Sequence, residues 1–121
     1  MNIREQLNQQ ARAYRQKTRP VANEDDLALR VRAVSAEVVI EWQNLIQAGH
    51  KAQANAYLVR ESLCDEQGEP VFAEGQEAEI LDLPPNLLTN ICHEALVLAG
   101  VIDIEEDAAA GKPETSGSGT S

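Results

Sequence analysis

The stretch LVRESLCDEQGEPVF, residues 58–72, breaks one helical pattern and starts another. Leu58, Val59, Ser62 and Leu63 recur at helical spacing, and the pattern stops at Asp65, Glu66, Gln67 and Gly68. Glycine takes positive φ without steric cost, and Pro70 cannot extend a helix, so the chain must turn here. After the turn, Val71 and Phe72 are apolar again and are expected to re-enter the core. Asp65, Gly68, Pro70 and Phe72 thus define a structural hinge between two apolar helices.

Helices extend outward from this hinge on both sides. Upstream, helix formers run from Lys51, with Ala54, Tyr57, Leu58 and Ser62 on one face. Before them, Ser35 offers an N-cap for a helix from Ala36 to Ala48 that Gly49 ends. Val39, Trp42, Leu45 and Ile46 form its apolar face, with Val38 beside it. Downstream, residues 74–83 read as a short acidic helix with Ala78 and Leu81 at helical spacing. Pro84 and Pro85 then start a longer helix, because proline in the first turn forfeits no hydrogen bond. Leu87, Leu88, Ile91, Cys92, Ala95, Leu98 and Ala99 form its buried face, and Gly100 ends it, with Val101 folding back onto Leu96.

The amino-terminal part is different in kind. Ile3, Leu7, Ala11 and Tyr14 lie within one narrow arc of a helix at about 100° per residue. The stripe is thin and the rest of the helix is rich in Gln and Arg, so it suits docking on a partner or a second copy better than a deep core. Residues 17–26, with Pro20 and the run Asn23 to Asp26, read as a linker. Leu27, Leu29 and Val31 alternate with Ala28, Arg30 and Arg32. That is the pattern of a short strand over 27–32, with the first turns of a helix as the alternative. The expected architecture is a mainly α domain of four to five helices over 27–102, preceded by a basic amphipathic helix within 1–20. From Asp103 all periodicity is lost, and residues 103–121 read as a disordered tail, acidic and then rich in Ser and Gly.

Composition narrows the function classes. The chain has 121 residues, 3% of them aromatic, enough for one core built from Leu, Ile, Val and Ala. Its net charge of -10 is uneven. Residues 1–20 carry Arg4, Arg12, Arg15, Lys17 and Arg19 against Glu5, whereas residues 61–121 carry Lys112 against fourteen carboxylates. A basic arm on an acidic body favours head-to-tail self-association, although solvated helix faces account for the same numbers. No apolar run approaches the roughly 20 residues that a membrane span needs, and no signal peptide precedes the first helix, so a soluble intracellular protein is expected. The basic helix lacks interleaved aromatics beyond Tyr14, and the acidic body repels phosphate. No nucleic-acid partner is expected.

The residues offer little chemistry. Cys64 and Cys92 are too few for a disulfide framework and read as buried free thiols. With His50 and His93 they lack the short ligand spacing of a zinc site, and Cys92 and His93 are consecutive on a helix. A calcium loop starting at Asp65 needs glycine at its sixth position, which is Pro70. Nucleophile motifs and phosphate-cradling loops are absent. Neither catalysis nor a cofactor is expected.

The order of these elements resembles the tail assembly chaperones of long-tailed, lambda-like bacteriophages. The resemblance runs from Leu29 to Val101. It takes in Val31, Arg32 and Ser35 at the start of the capped helix, then Asp65, Gly68 and Phe72, and closes on Leu81, Pro84, Pro85 and the terminal apolar helix. It implies a protein of the host cell cytoplasm, absent from the mature virion, that coats the tape measure protein and helps recruit tail tube subunits. It also implies a longer form made by -1 ribosomal frameshifting, for which the Gly111, Lys112 pair is the candidate position. Candidate partner contacts are Ile3, Leu7, Tyr14 and Trp42. A small acidic adaptor or inhibitor is the competing expectation.

Overall fold

The computed structural model describes residues 2–102. They form α1 (Ile3–Arg15), β1 (Thr18–Pro20), β2 (Arg30–Arg32), α2 (Ala36–Gln47), α3 (Lys51–Ser62), β3 (Leu63–Cys64), α4 (Glu77–Leu81) and α5 (Pro85–Leu98). The domain is mainly α, as expected, and the one short strand expected near 27–32 is part of a three-stranded antiparallel sheet. The expected tail, residues 103–121, with Gly111 and Lys112, lies outside the described residues.

The core centres on α3. Ala54, Ala56, Leu58, Val59 and Ser62 are buried along it, and it packs against α2, α4 and α5. Ile80 of α4 and Ile91 of α5 are also fully buried. Ser62 is a polar residue in this core, and its hydroxyl donates to the Leu58 carbonyl at 2.7 Å, which removes the cost of burying it unpaired. Capping marks the start of α2 and the end of α5. The Ser35 hydroxyl accepts from the Val38 N–H at 3.3 Å, as its position predicted. At the end of α5, Gly100 has φ +81. The Val101 and Gly100 N–H groups then donate to Leu96 and Val97 at 2.9 and 3.0 Å, the Schellman pattern.

The sheet has the order β1-β2-β3, antiparallel throughout. Val31 sits at its centre, opposite Arg19 on one side and Leu63 on the other, and is fully buried. This corrects three expectations. Residues 18–20 are not linker but a strand, because Arg30–Arg32 satisfies their backbone; Pro20 is tolerated on an edge strand. The expected strand over 27–32 contracts to Arg30–Arg32. The Asn23 side chain accepts from the Leu27 N–H at 2.7 Å and donates to the Leu27 carbonyl at 2.9 Å, so Leu27 belongs to a loop and is 56% exposed. Finally, α3 stops at Ser62 because Leu63 and Cys64 straighten to pair with β2.

Burial along the remaining helices also departs from periodicity in places. In α4 the buried side chain is Ile80, while Ala78 and Leu81 face solvent. In α2 the buried residue is Val38, with Val39 and Trp42 packed beside the core. In α5, Leu96 and Val97 join the buried face, and Leu98 and Ala99 pack at its border. Val71 stays exposed, whereas Phe72 packs against the core.

Candidate functional site

The hinge residues build a closed turn. The Asp65 carboxylate accepts from the Gln67 and Glu69 N–H groups at 2.9 and 3.0 Å. Its carbonyl accepts from Gly68 and its N–H donates to Glu69, both at 3.0 Å. Gly68 has φ +82, and Pro70 pairs with Cys64 across the turn. The carboxylate that suggested a cation ligand is thus engaged with backbone donors. The turn closes a hairpin off β3 rather than simply hinging two helices.

Both cysteines are buried and free. Burial pushes the Cys92 thiol up to about 12. Cys64 is raised as well, mainly by burial, with Arg32 opposing. Both are therefore protonated and poor nucleophiles near neutral pH. Among the described residues, no group of three or more His, Cys, Asp or Glu side chains could hold a metal ion. Among the same residues, no helix is long and apolar enough to cross a membrane.

The four candidate partner contacts separate into two kinds. Tyr14 roots α1 on the body: its hydroxyl donates to the Val34 carbonyl at 2.6 Å. Burial raises its pKa. Trp42 is half-buried, packs on the core and donates from Nε1 to Asn55 Oδ1 at 3.4 Å. Ile3 and Leu7 are 69% and 57% exposed, and α1 as a whole buries no residue. An amphipathic helix with an apolar edge in water is therefore presented on the surface of the domain.

At the root of α1 the surface is concave. A hollow of about 600 Å³ is bordered by Ala11, Tyr14, Arg15, Val34, Val38 and Glu61. A neighbouring hollow of about 290 Å³ lies among Tyr14, Val34, Ala36, Val39, Ile40 and Ala99. Ile40, on the outer face of α2, is 55% exposed. Sequence periodicity passed over it because it lies off the buried arc. That was itself the available signal: an isoleucine opposite a core face.

Two arginines that the sequence did not single out fix the body. Arg60 reaches Glu61 at 2.9 Å and Glu77 at 2.6 Å, and its guanidinium lies 5.2 Å from the Tyr57 ring centroid. The hydrogen bond from Arg60 holds Glu77 below the usual carboxylate range. Arg19 meets Glu94 at 2.7 Å, tying β1 to α5. Glu77 and Glu94 lie 17 and 75 residues from their arginines along the chain. No local spacing announces them.

Among the described residues these elements define a class of fold: a body of four helices, α2 to α5, carrying a three-stranded antiparallel sheet, with the amphipathic helix α1 on its surface. No protein-family model and no curated protein matches the chain. Among solved structures it is similar to the tail assembly chaperone of bacteriophage HK97. The TM-score is 0.59 at 22% identity, covering 78% of this chain and 97% of that one. The fold is thus that of a phage tail assembly chaperone.

Proposed function

We propose that this protein is a phage tail assembly chaperone. It binds the tape measure protein, keeps it soluble and helps bring tail tube subunits to it, in the host cytoplasm and without entering the mature virion. Self-association along the tape measure protein and a frameshifted longer form belong to the same proposal, as does the absence of enzymatic activity. The observation that carries it is the fold shared with the HK97 chaperone, joined to an amphipathic helix whose Ile3 and Leu7 face water.

The physical role is that of a holdase. A long partner helix with an apolar stripe is insoluble by itself, and the Ile3–Leu7 edge covers such a stripe while the acidic body keeps the complex in solution. Ile3 and Leu7 are the leading contact residues. Tyr14 sets the angle of the helix, and Trp42 lies within the body as a secondary contact. Co-expression with the tape measure protein encoded in the same genome tests the proposal. The expected result is a soluble complex that co-purifies. A tape measure protein that stays insoluble, together with a gene neighbourhood lacking tail genes, rejects it in favour of an acidic adaptor.

A further inference from the structure

Two unpaired surfaces of this chain match each other. On α1, the Ile3–Leu7 edge is flanked on one side by Arg4, about 100° around the helix from Ile3 and 60° from Leu7. On α2, Ile40 is flanked by Glu37 and Glu41, about 60° and 100° around in the same rotational sense. Its opposite flank is the apolar hollow among Ala36, Val39 and Val34. Among the described residues, Arg4 forms no ion pair, and neither do Glu37 and Glu41. The acids are clustered with a third. Burial, then Glu61, Glu41 and Glu37, hold the Tyr57 phenol above its usual pKa, with Arg60 opposing them.

Among the described residues nothing covers the apolar edge of α1 at Ile3 and Leu7. Tyr14 is bound to Val34, and the Ala33 N–H donates to the Lys17 carbonyl at 3.1 Å. The helix therefore leaves the body at a fixed root, with Ile3 three turns away. The geometry points to a second copy of this chain as the occupant: α1 of one copy lies along α2 of another, Ile3 and Leu7 on Ile40 and its hollow, Arg4 beside Glu37 and Glu41. The crossing is antiparallel. Both helices carry their charges on the same rotational side of the apolar edge, and only antiparallel packing brings those two sides together. This pairing rests on the proposed function and describes its resting state: it hides the apolar edge from water when no tail protein is bound, and the tape measure protein displaces it.

Sedimentation velocity on the purified full chain tests it without any tail protein, so its failure is distinct from failure of the chaperone role. The wild type is expected to self-associate, with association weakening between about 50 and 500 mM salt as surface charges are screened. Leu7→Glu should be monomeric. Arg4→Glu and the double variant Glu37→Arg/Glu41→Arg should each associate about tenfold more weakly. Mixing those two charge-reversed proteins should restore association between them. All of these positions are exposed, and unchanged thermal melts confirm intact folding. A wild type that is monomeric at every concentration overturns the inference, as do variants that associate like the wild type or a mixture that stays dissociated.

Discussion

Helices α1 and α3 are nearly equal in length, 13 and 12 residues, and are held in opposite ways. α1 has every local device: an Asn2–Glu5 capping box, an acid in its first turn, and Arg12 and Arg15 in its last. It buries nothing. α3 has no side-chain cap at His50 and no acid in its first turn, yet five of its residues are buried. An isolated helix of about 13 residues is marginal in water, so capping and dipole complementarity must hold α1 where packing does not. The body is built to be stable, and the arm is built to be available.

The comparison breaks most visibly in the body. Leu58→Ala removes a fully buried side chain from the centre of α3 and should cost about 2–5 kcal/mol in urea unfolding. A loss near zero would mean that α3 does not carry the core. Alkaline pH gives a second test. The folded Cys92 thiol is pushed up to about 12 from 9.0, so above pH 9 the unfolded chain loses a proton that the folded chain retains. The stability this provides is fully present below pH 9 and is lost as pH rises toward 12. Urea midpoints should fall across that window, and a Cys92→Ala variant should show a shallower fall.

At the hinge, Gly68→Val should cost about 1 kcal/mol or more in thermal unfolding. A Cβ there meets nothing within 4 Å, so the loss comes from φ +82 alone. An unchanged melt would place the strain elsewhere. The smallest effect belongs to the arm. Leu7→Glu should leave stability within about 0.5 kcal/mol, as exposed substitutions usually do. A large loss would show that the edge of α1 is packed after all.

The same contrast explains what the sequence revealed. The helices were legible because their apolar positions repeat and several of their ends carry a signal: Ser35, Gly49, Pro85 and Gly100. The exposed face of α1 was legible in its thin stripe. The strand Thr18–Pro20 was not, since three residues containing a proline hold no alternation to detect and their pairing is set by Arg30–Arg32. Ile80 in place of Ala78 and Leu81 was decided by how α4 lies on α3, and the Arg60–Glu77 and Arg19–Glu94 pairs by tertiary contact. Of the candidate site, Ile3 and Leu7 could be named from periodicity, whereas Tyr14 as an anchor needed the Val34 carbonyl, which is 20 residues away.

Hydrogen exchange on the full chain, with and without the tape measure protein, measures the arm directly. With the partner absent and the protein dilute, amides of 3–15 should exchange quickly while those of 51–62 remain protected. Binding of the partner should slow exchange across 3–15 and leave 51–62 unchanged. Exchange across 3–15 that is unaltered by a partner bound elsewhere on the domain would contradict it.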